Sequence, residues 1–366
     1  MSTSMRRSKV HRRYSASRLF CPTLCFVVAL SGVSMAGTLV SNETIQHDGL
    51  TRYFDYYIPD LPQLPAAPLV FLLHGGTRNK DDFATGPFQE FFSLADQYGF
   101  FVLLPNGTDP ATSISGSTGS FNWNDCRNDA GEAGTVADDV GLISDLIDWM
   151  LGTFSIDDQR IYSAGASNGG MMSYRLAIEL SDRIAATASV IANLPANSEC
   201  ASQPTYPLTI LVMNGSSDAI MPFGGGEISG GGGFTLSADA TRDFFLDFLD
   251  IQSSAQTFQF PDIDLADGGV VDREIYSGGI DGTSVVFLRA NGAGHTNPSK
   301  AHPVTPLVEF FLGKQNHDIE AATEIWSALS PVTLPEPTTA TSLMVGTLGL
   351  GWADRRRWKS ARLLDS

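Results

Sequence analysis

The run Arg160-Ile161-Tyr162-Ser163-Ala164-Gly165-Ala166-Ser167-Asn168-Gly169-Gly170-Met171-Met172 constrains this chain more than any other stretch. It predicts a short strand, a sharp turn and then a helix reaching about Leu180, with Met172, Leu176 and Leu180 on its apolar stripe. Gly165, Ser167 and Gly169 form G-x-S-x-G. A serine held in a strained strand-to-helix turn leaves no room for side chains two positions away on either side. The turn also sets Ser167 at a helix N-terminus, where free N–H groups favour developing negative charge. A glycine-rich turn of any α/β fold gives the same pattern in a chain with 36 glycines, so the partners downstream decide.

Around this turn, uninterrupted apolar runs alternate with helical patterns. Residues 38–59 predict a hairpin about Asp48-Gly49. Pro68 to Leu73 and Phe100 to Leu104 predict strands buried on both faces, with a helix from Pro87 to Tyr98 between them. A polar loop, 105–135, leads to a helix from Val136 to Leu151; strands follow at Ala188–Ala192, Leu208–Met213 and Ser284–Arg289. This alternation predicts a doubly wound, mostly parallel sheet flanked by helices. The glycine-rich segment 223–234 lacks G-x-G-x-x-G at a strand–helix junction and is expected to be a flexible loop near the site mouth. Asp262, Asp264 and Asp267 miss a calcium-loop spacing by one residue and predict a solvated acidic loop.

A serine hydroxyl needs a base, and the base needs an orienter. Asp218 follows the predicted strand Leu208–Met213, in a loop at the sheet's C-terminal edge where sites of open α/β sheets gather. His295 follows the strand Ser284–Arg289 in a glycine-flanked loop, unlike His302 before Pro303 or His317 before a helix. Ser167, Asp218 and His295 are therefore the candidate nucleophile, orienter and base. The N–H groups of Asn168 and Gly76 are the candidate oxyanion donors, and His74 is expected to be structural. Phe121–Trp123 forms an aromatic loop, and Trp123 is a candidate substrate contact.

From about Tyr53 to Leu329 the chain resembles the secreted polyhydroxybutyrate depolymerase / feruloyl-esterase-like family of α/β-hydrolases. The matching pieces are Leu73-His74-Gly75-Gly76, Trp123-Asn124-Asp125, Asp138-Asp139-Val140-Gly141, the Ser167 turn, Glu179 to Arg183, Asp218 with Pro222-Phe223, Gly294-His295-Thr296 and Asp318 to Trp326. The resemblance implies the α/β-hydrolase fold and cofactor-free hydrolysis of carboxylic esters. Its implied substrates are a hydroxyalkanoate polyester or its oligomers, or alternatively feruloyl or acetyl groups on plant polysaccharide. Asn297-Pro298 stands where the family has Trp-Pro, the loop after Asp218 is long, and no polymer-binding domain follows. A non-catalytic surface-binding protein on the same fold is the reading from a different class.

The two ends predict export. Residues 1–36 read as a signal peptide, with Arg6, Arg7, Lys9, Arg12, Arg13 and Arg18 before the apolar run Leu19 to Leu30 and small residues at Ser34 and Ala36. Residues 37–330 are the expected catalytic domain, and 331–366 a linker and tail. Pro335-Glu336-Pro337, an apolar stretch and Arg355-Arg356-Arg357 resemble the PEP-CTERM sorting signal. That likeness implies an exosortase-type processing partner and only transient membrane contact through the tail. Both ends are rich in arginine, so the body is more acidic than the chain's formal −17 and repels nucleic acid. Cys126 and Cys200 remain in the body, an even pair for which a disulfide is the default in an exported chain. Metal-ligand spacing of the C-x-x-C or His-rich kind is absent, and no metal site is expected.

Overall fold

A computed structural model describes residues 37–60 and 66–331; the expected signal peptide and nearly all of the tail lie outside the described residues. The first hairpin forms as expected, β1 (Thr38–His47) and β2 (Leu50–Ile58), and turns at Asp48-Gly49, both with positive φ. The apolar runs become β3 (Ala67–Leu73) and β4 (Phe101–Pro105), buried along their whole length. Next come β5 (Ile156–Ala166), β6 (Ala186–Val190), β7 (Thr209–Gly215), the short β8 (Gly226–Glu227) and β9 (Phe234–Thr235), β10 (Gln256–Gln259), β11 (Val271–Ser277) and β12 (Ser284–Ala290). Ten strands form one sheet in the order β1-β2-β4-β3-β5-β6-β7-β12-β11-β10. The six from β4 to β12 pair in parallel, and antiparallel strands margin both sides.

Side-chain alternation along each strand feeds two layers. Val70 and Leu72 pack with α1 (Glu90–Tyr98) and α6 (Ala321–Leu329) on one face. Leu69, Phe71 and Leu73 pack with α2 (Asp139–Thr153) on the other, beside α3 (Asn168–Glu179) and α4 (Ala238–Phe248). A short helix, α5 (Pro306–Leu312), lies between β12 and α6. This is the α/β-hydrolase fold, with a mostly parallel sheet between helical layers. None of the described helices is long and apolar enough to cross a membrane.

Boundaries differ from expectation for identifiable reasons. Helix α2 starts at Asp139 rather than Val136 because the Asp138 carboxylate caps it, accepting the Gly141 N–H at 2.9 Å. Strand β6 stops at Val190 because Ile191 turns into the left-handed region, φ 49°. The glycine-rich segment is a built hairpin instead of a free loop: β8 pairs with β9, Ile228 is buried, and Arg127 donates to the Gly232 carbonyl oxygen. The acidic loop is likewise anchored, since Asp267 is buried and Asp318 accepts the Ile263 N–H at 2.7 Å.

Candidate active site

Strand order brings the pieces together. β3 and β5 are parallel neighbours with Leu73 opposite Gly165, so the turn after one strand faces the turn after the other. The chain leaves β3 towards β4 on one side and β5 towards β6 on the other, the kind of switch point outside which ligands of open α/β sheets bind. A Cβ on Gly75 would lie 3.7 Å from the Ser167 Cβ, and one on Gly76 would lie 3.5 Å from the Asn168 Cβ.

Ser167 sits between β5 and α3 at φ 55°, ψ −122°, a conformation that a non-glycine residue holds only when its surroundings enforce it. Its N–H donates to the Val190 carbonyl oxygen at 2.9 Å. The flanking glycines are required by close approach. A Cβ on Gly165 would collide with the Gly169 carbonyl, and one on Gly169 with the carbonyl oxygens of Leu73 and His74.

Asp218 and His295 come from the ends of β7 and β12, neighbouring parallel strands. The two loops are joined by main-chain bonds from Ser216 N–H to the Ala290 oxygen at 3.0 Å and from Ser217 N–H to the Ala293 oxygen at 2.9 Å. Asp218, 7% exposed, takes the N–H groups of Ile220 and Met221 on Oδ1, both at 2.8 Å. Its Oδ2 lies 2.7 Å from His295 Nδ1, and His295 Nε2 lies 2.9 Å from Ser167 Oγ. A carboxylate only accepts, so Nδ1 carries the imidazole proton and Nε2 is the acceptor facing the serine hydroxyl. The geometry thus joins all three sequence-selected residues in one hydrogen-bonded chain. The two other histidines after Asp218 are engaged elsewhere: His302 lies 3.7 Å from Glu90, and His317 pairs with Asp264 at 2.8 Å.

The two candidate oxyanion donors stand side by side, and neither the Gly76 nor the Asn168 N–H has an acceptor among the described residues. His74 is structural in this setting. Nδ1 donates to the Gly75 oxygen at 2.8 Å, Nε2 accepts the Gly107 N–H at 3.1 Å, and burial pushes the imidazole pKa down to about 4.

Trp123 corrects the expectation of a substrate contact. It is 1% exposed, its ring packs 4.8 Å from the His74 ring, and its Nε1–H donates to the His74 carbonyl oxygen at 2.9 Å. No face remains for a ligand. The sequence reading missed what surrounds it: the Asn168 carboxamide binds both main-chain groups of Trp123 and the carboxylate of Asp125. Asn and Asp at 122, 124 and 125 around an aromatic were the available signal. Cys126 and Cys200 are bonded, with Cα atoms 5.6 Å apart.

Ligand atoms of Asp264, Asp267 and His317 cluster within 4.8 Å, as do those of Glu179 and the disulfide-bonded Cys126 and Cys200. The first three bind one another and the local main chain, His317 N–H to Asp267 at 2.7 Å among them. A cavity of about 270 Å³ lies beside α3, bordered by Asp125, Leu194 and Phe244 but by none of Ser167, Asp218 or His295.

Residues 52–199 match the family model described as Esterase PHB depolymerase. The unproven esterase NocK of Nocardia uniformis subsp. tsuyamanensis is 28% identical over 274 residues, 71% of this chain and 74% of NocK. The bifunctional acetylxylan esterase/xylanase XynS20E of Neocallimastix patriciarum is 27% identical over 71% of this chain, which spans 33% of that protein. The poly(3-hydroxybutyrate) depolymerase of Ralstonia pickettii is 31% identical over 139 residues, 36% of this chain and 26% of the depolymerase. Among solved structures, the acetyl xylan esterase from Aspergillus awamori superposes with a TM-score of 0.48 at 16% identity, covering 72% of this chain and 96% of its own.

Proposed function

We propose that this serine ester hydrolase cleaves hydroxyalkanoate polyester or its oligomers through an acyl-enzyme. The observation that carries the mechanism is the hydrogen-bonded chain from Asp218 through His295 to Ser167. In this reading Ser167 Oγ attacks the ester carbonyl carbon while its proton passes to His295 Nε2. Asp218 fixes the ring tautomer and stabilises the imidazolium. The oxyanion is held by the N–H groups of Asn168 and Gly76 at the start of α3 and the facing turn. Collapse expels the alcohol, which takes the proton from His295 and leaves the acyl group on Ser167. Water then attacks, delivers a proton to His295, and release of the acid returns that proton to Ser167.

For the substrate, the family match and the Ralstonia depolymerase support a polyester. So does the helix that anchors the base. Helix α5 accepts the His295 N–H on its Leu312 carbonyl and leaves Leu307, Phe310 and Phe311 exposed at 67%, 81% and 66%. An exposed apolar patch on that helix suits a polyester better than a hydroxylated polysaccharide. The Neocallimastix relative supports the second reading, deacylation of plant polysaccharide. Product analysis separates them: 3-hydroxybutyrate released from oligomers, with little acetate or ferulate from acylated xylan, fits the first, and the reverse pattern transfers the assignment to the second.

Export belongs to the same reading. The Cys126–Cys200 bond fits an oxidising compartment. Removal of the basic end by an exosortase-type enzyme predicts a mature mass without Ser366, and an intact mass that includes it would refute the processing step.

A further inference from the structure

Segment 122–127 touches both halves of the candidate oxyanion hole. On the β3 side, Asn122 Oδ1 accepts the Thr77 N–H at 2.6 Å, and the Trp123 indole donates to the His74 oxygen at 2.9 Å. These bonds straddle Gly76. On the β5 side, the Asn168 carboxamide accepts the Trp123 N–H at 2.7 Å. It donates to the Trp123 oxygen at 3.1 Å and to Asp125 Oδ2 at 2.6 Å. A carboxamide held at three points cannot rotate, and Asn168 is the first residue of α3, so its own N–H is fixed with it.

Asp125 is the unusual member. It is 4% exposed, and a buried carboxylate is costly unless paired. Arg127 supplies the pair, with Nε at 2.9 Å from Oδ1 and Nη2 at 2.8 Å from Oδ2, and is itself held by the Gly232 carbonyl of the β8–β9 hairpin. A charged pair is thus kept out of water to hold one amide group.

We propose that Asp125 is a positioning residue for ester hydrolysis: together with Trp123 it sets the separation and direction of the Gly76 and Asn168 N–H donors. This rests on the reading of those two groups as the oxyanion hole. Donors act only when aimed at the oxygen of the tetrahedral intermediate, and a shift of about 1 Å costs as much as 10²-fold in rate. The substrate carbonyl gains less from the same donors, so the effect falls on kcat rather than on KM.

The test compares Asp125→Asn and Trp123→Phe with the parent on p-nitrophenyl butyrate, alongside the inhibition constant of phenylboronic acid. The boronate forms a tetrahedral anionic adduct with an active-site serine and so reports the oxyanion hole directly. Expected are a fall in kcat of about 10- to 100-fold with KM nearly unchanged and a comparable weakening of the boronate, in variants whose circular dichroism matches the parent. Asp125→Glu, which keeps the charge, should recover part of the loss. Folded variants with parental kcat and parental boronate affinity overturn the proposal, as does a loss carried by KM alone. Should Asp125→Asn be recovered only unfolded, Trp123→Phe carries the same readouts, because it removes one N–H and keeps the buried ring. Ser167→Ala separates the two levels. Turnover surviving in Ser167→Ala overturns the hydrolase mechanism itself, whereas an inactive Ser167→Ala beside an unaffected Asp125→Asn overturns only the positioning role.

Discussion

The main-chain N–H of His295 donates to the carbonyl oxygen of Leu312 at 2.6 Å, so the imidazole is held from behind by the end of α5 and from the side by Asp218. These two restraints set different costs for the members of the chain. Ser167→Ala and His295→Ala should each remove nearly all turnover, on the order of 10⁶-fold, and the double variant should lose no more than either alone. Asp218→Asn should cost less, about 10⁴-fold, because the ring loses its tautomer partner but keeps its main-chain anchor. His302→Ala and His317→Ala should stay within about threefold of the parent, within the scatter expected of surface changes. Turnover retained in His295→Ala and lost in a folded His302→Ala would assign the base elsewhere.

The Ser167 turn and the order of its partners were legible because their constraints are local. Glycines at 165 and 169 record carbonyls that pass too close for a Cβ, and the loops of Asp218 and His295 each follow an apolar run that can only be a buried strand. Trp123 was misread because its burial depends on His74, which lies 49 residues earlier. An aromatic amid Asn and Asp looks solvent-facing until that partner is known. Helix α5 gave no amphipathic signal, since Leu307, Phe310 and Phe311 point outward. Strands β10 and β11 were missed because an edge pair of mixed polarity carries little periodicity.

Two glycines test the steric account of the turn. Gly169→Ala drives a methyl group into main-chain oxygens of Leu73 and His74, on a central strand that cannot yield. A loss of about 3 kcal/mol or more is expected, typical of severe overpacking. Gly152→Ala, in α2 with open space around the added carbon, should instead stabilise by about 0.5–1 kcal/mol. Urea unfolding of both variants checks the pair, and equal effects would contradict the close-approach argument.

The Cys126–Cys200 bond joins segments separated by 74 positions. Its loss in the Cys126→Ser, Cys200→Ser double variant should cost roughly 2–4 kcal/mol, chiefly by freeing the unfolded chain. Non-reducing peptide maps of the protein should show the two cysteine peptides linked; recovery of both thiols free would refute the pairing.

His74 gives the protein a stability term with a defined sign in pH. Burial holds its folded pKa near 4, while the unfolded chain offers an ordinary histidine of about 6.5. Above pH 6.5 both states are neutral here, and the contribution is complete. As pH falls below 6.5, the unfolded chain binds a proton that the folded one refuses, so stability drops. The decline ends near pH 4, where the folded imidazole protonates too and gives up its bond from the Gly107 N–H. Carboxylates also titrate over part of this window, so the comparison must be with a variant rather than with a reference curve. His74→Gln keeps an acceptor near the Gly107 N–H and cannot titrate. It should be less stable than the parent at pH 8, yet lose less stability between pH 6.5 and 4, with the two curves converging by a few kcal/mol at most. Urea midpoints at half-unit steps of pH measure this, and parallel curves would show that His74 titrates alike in both states.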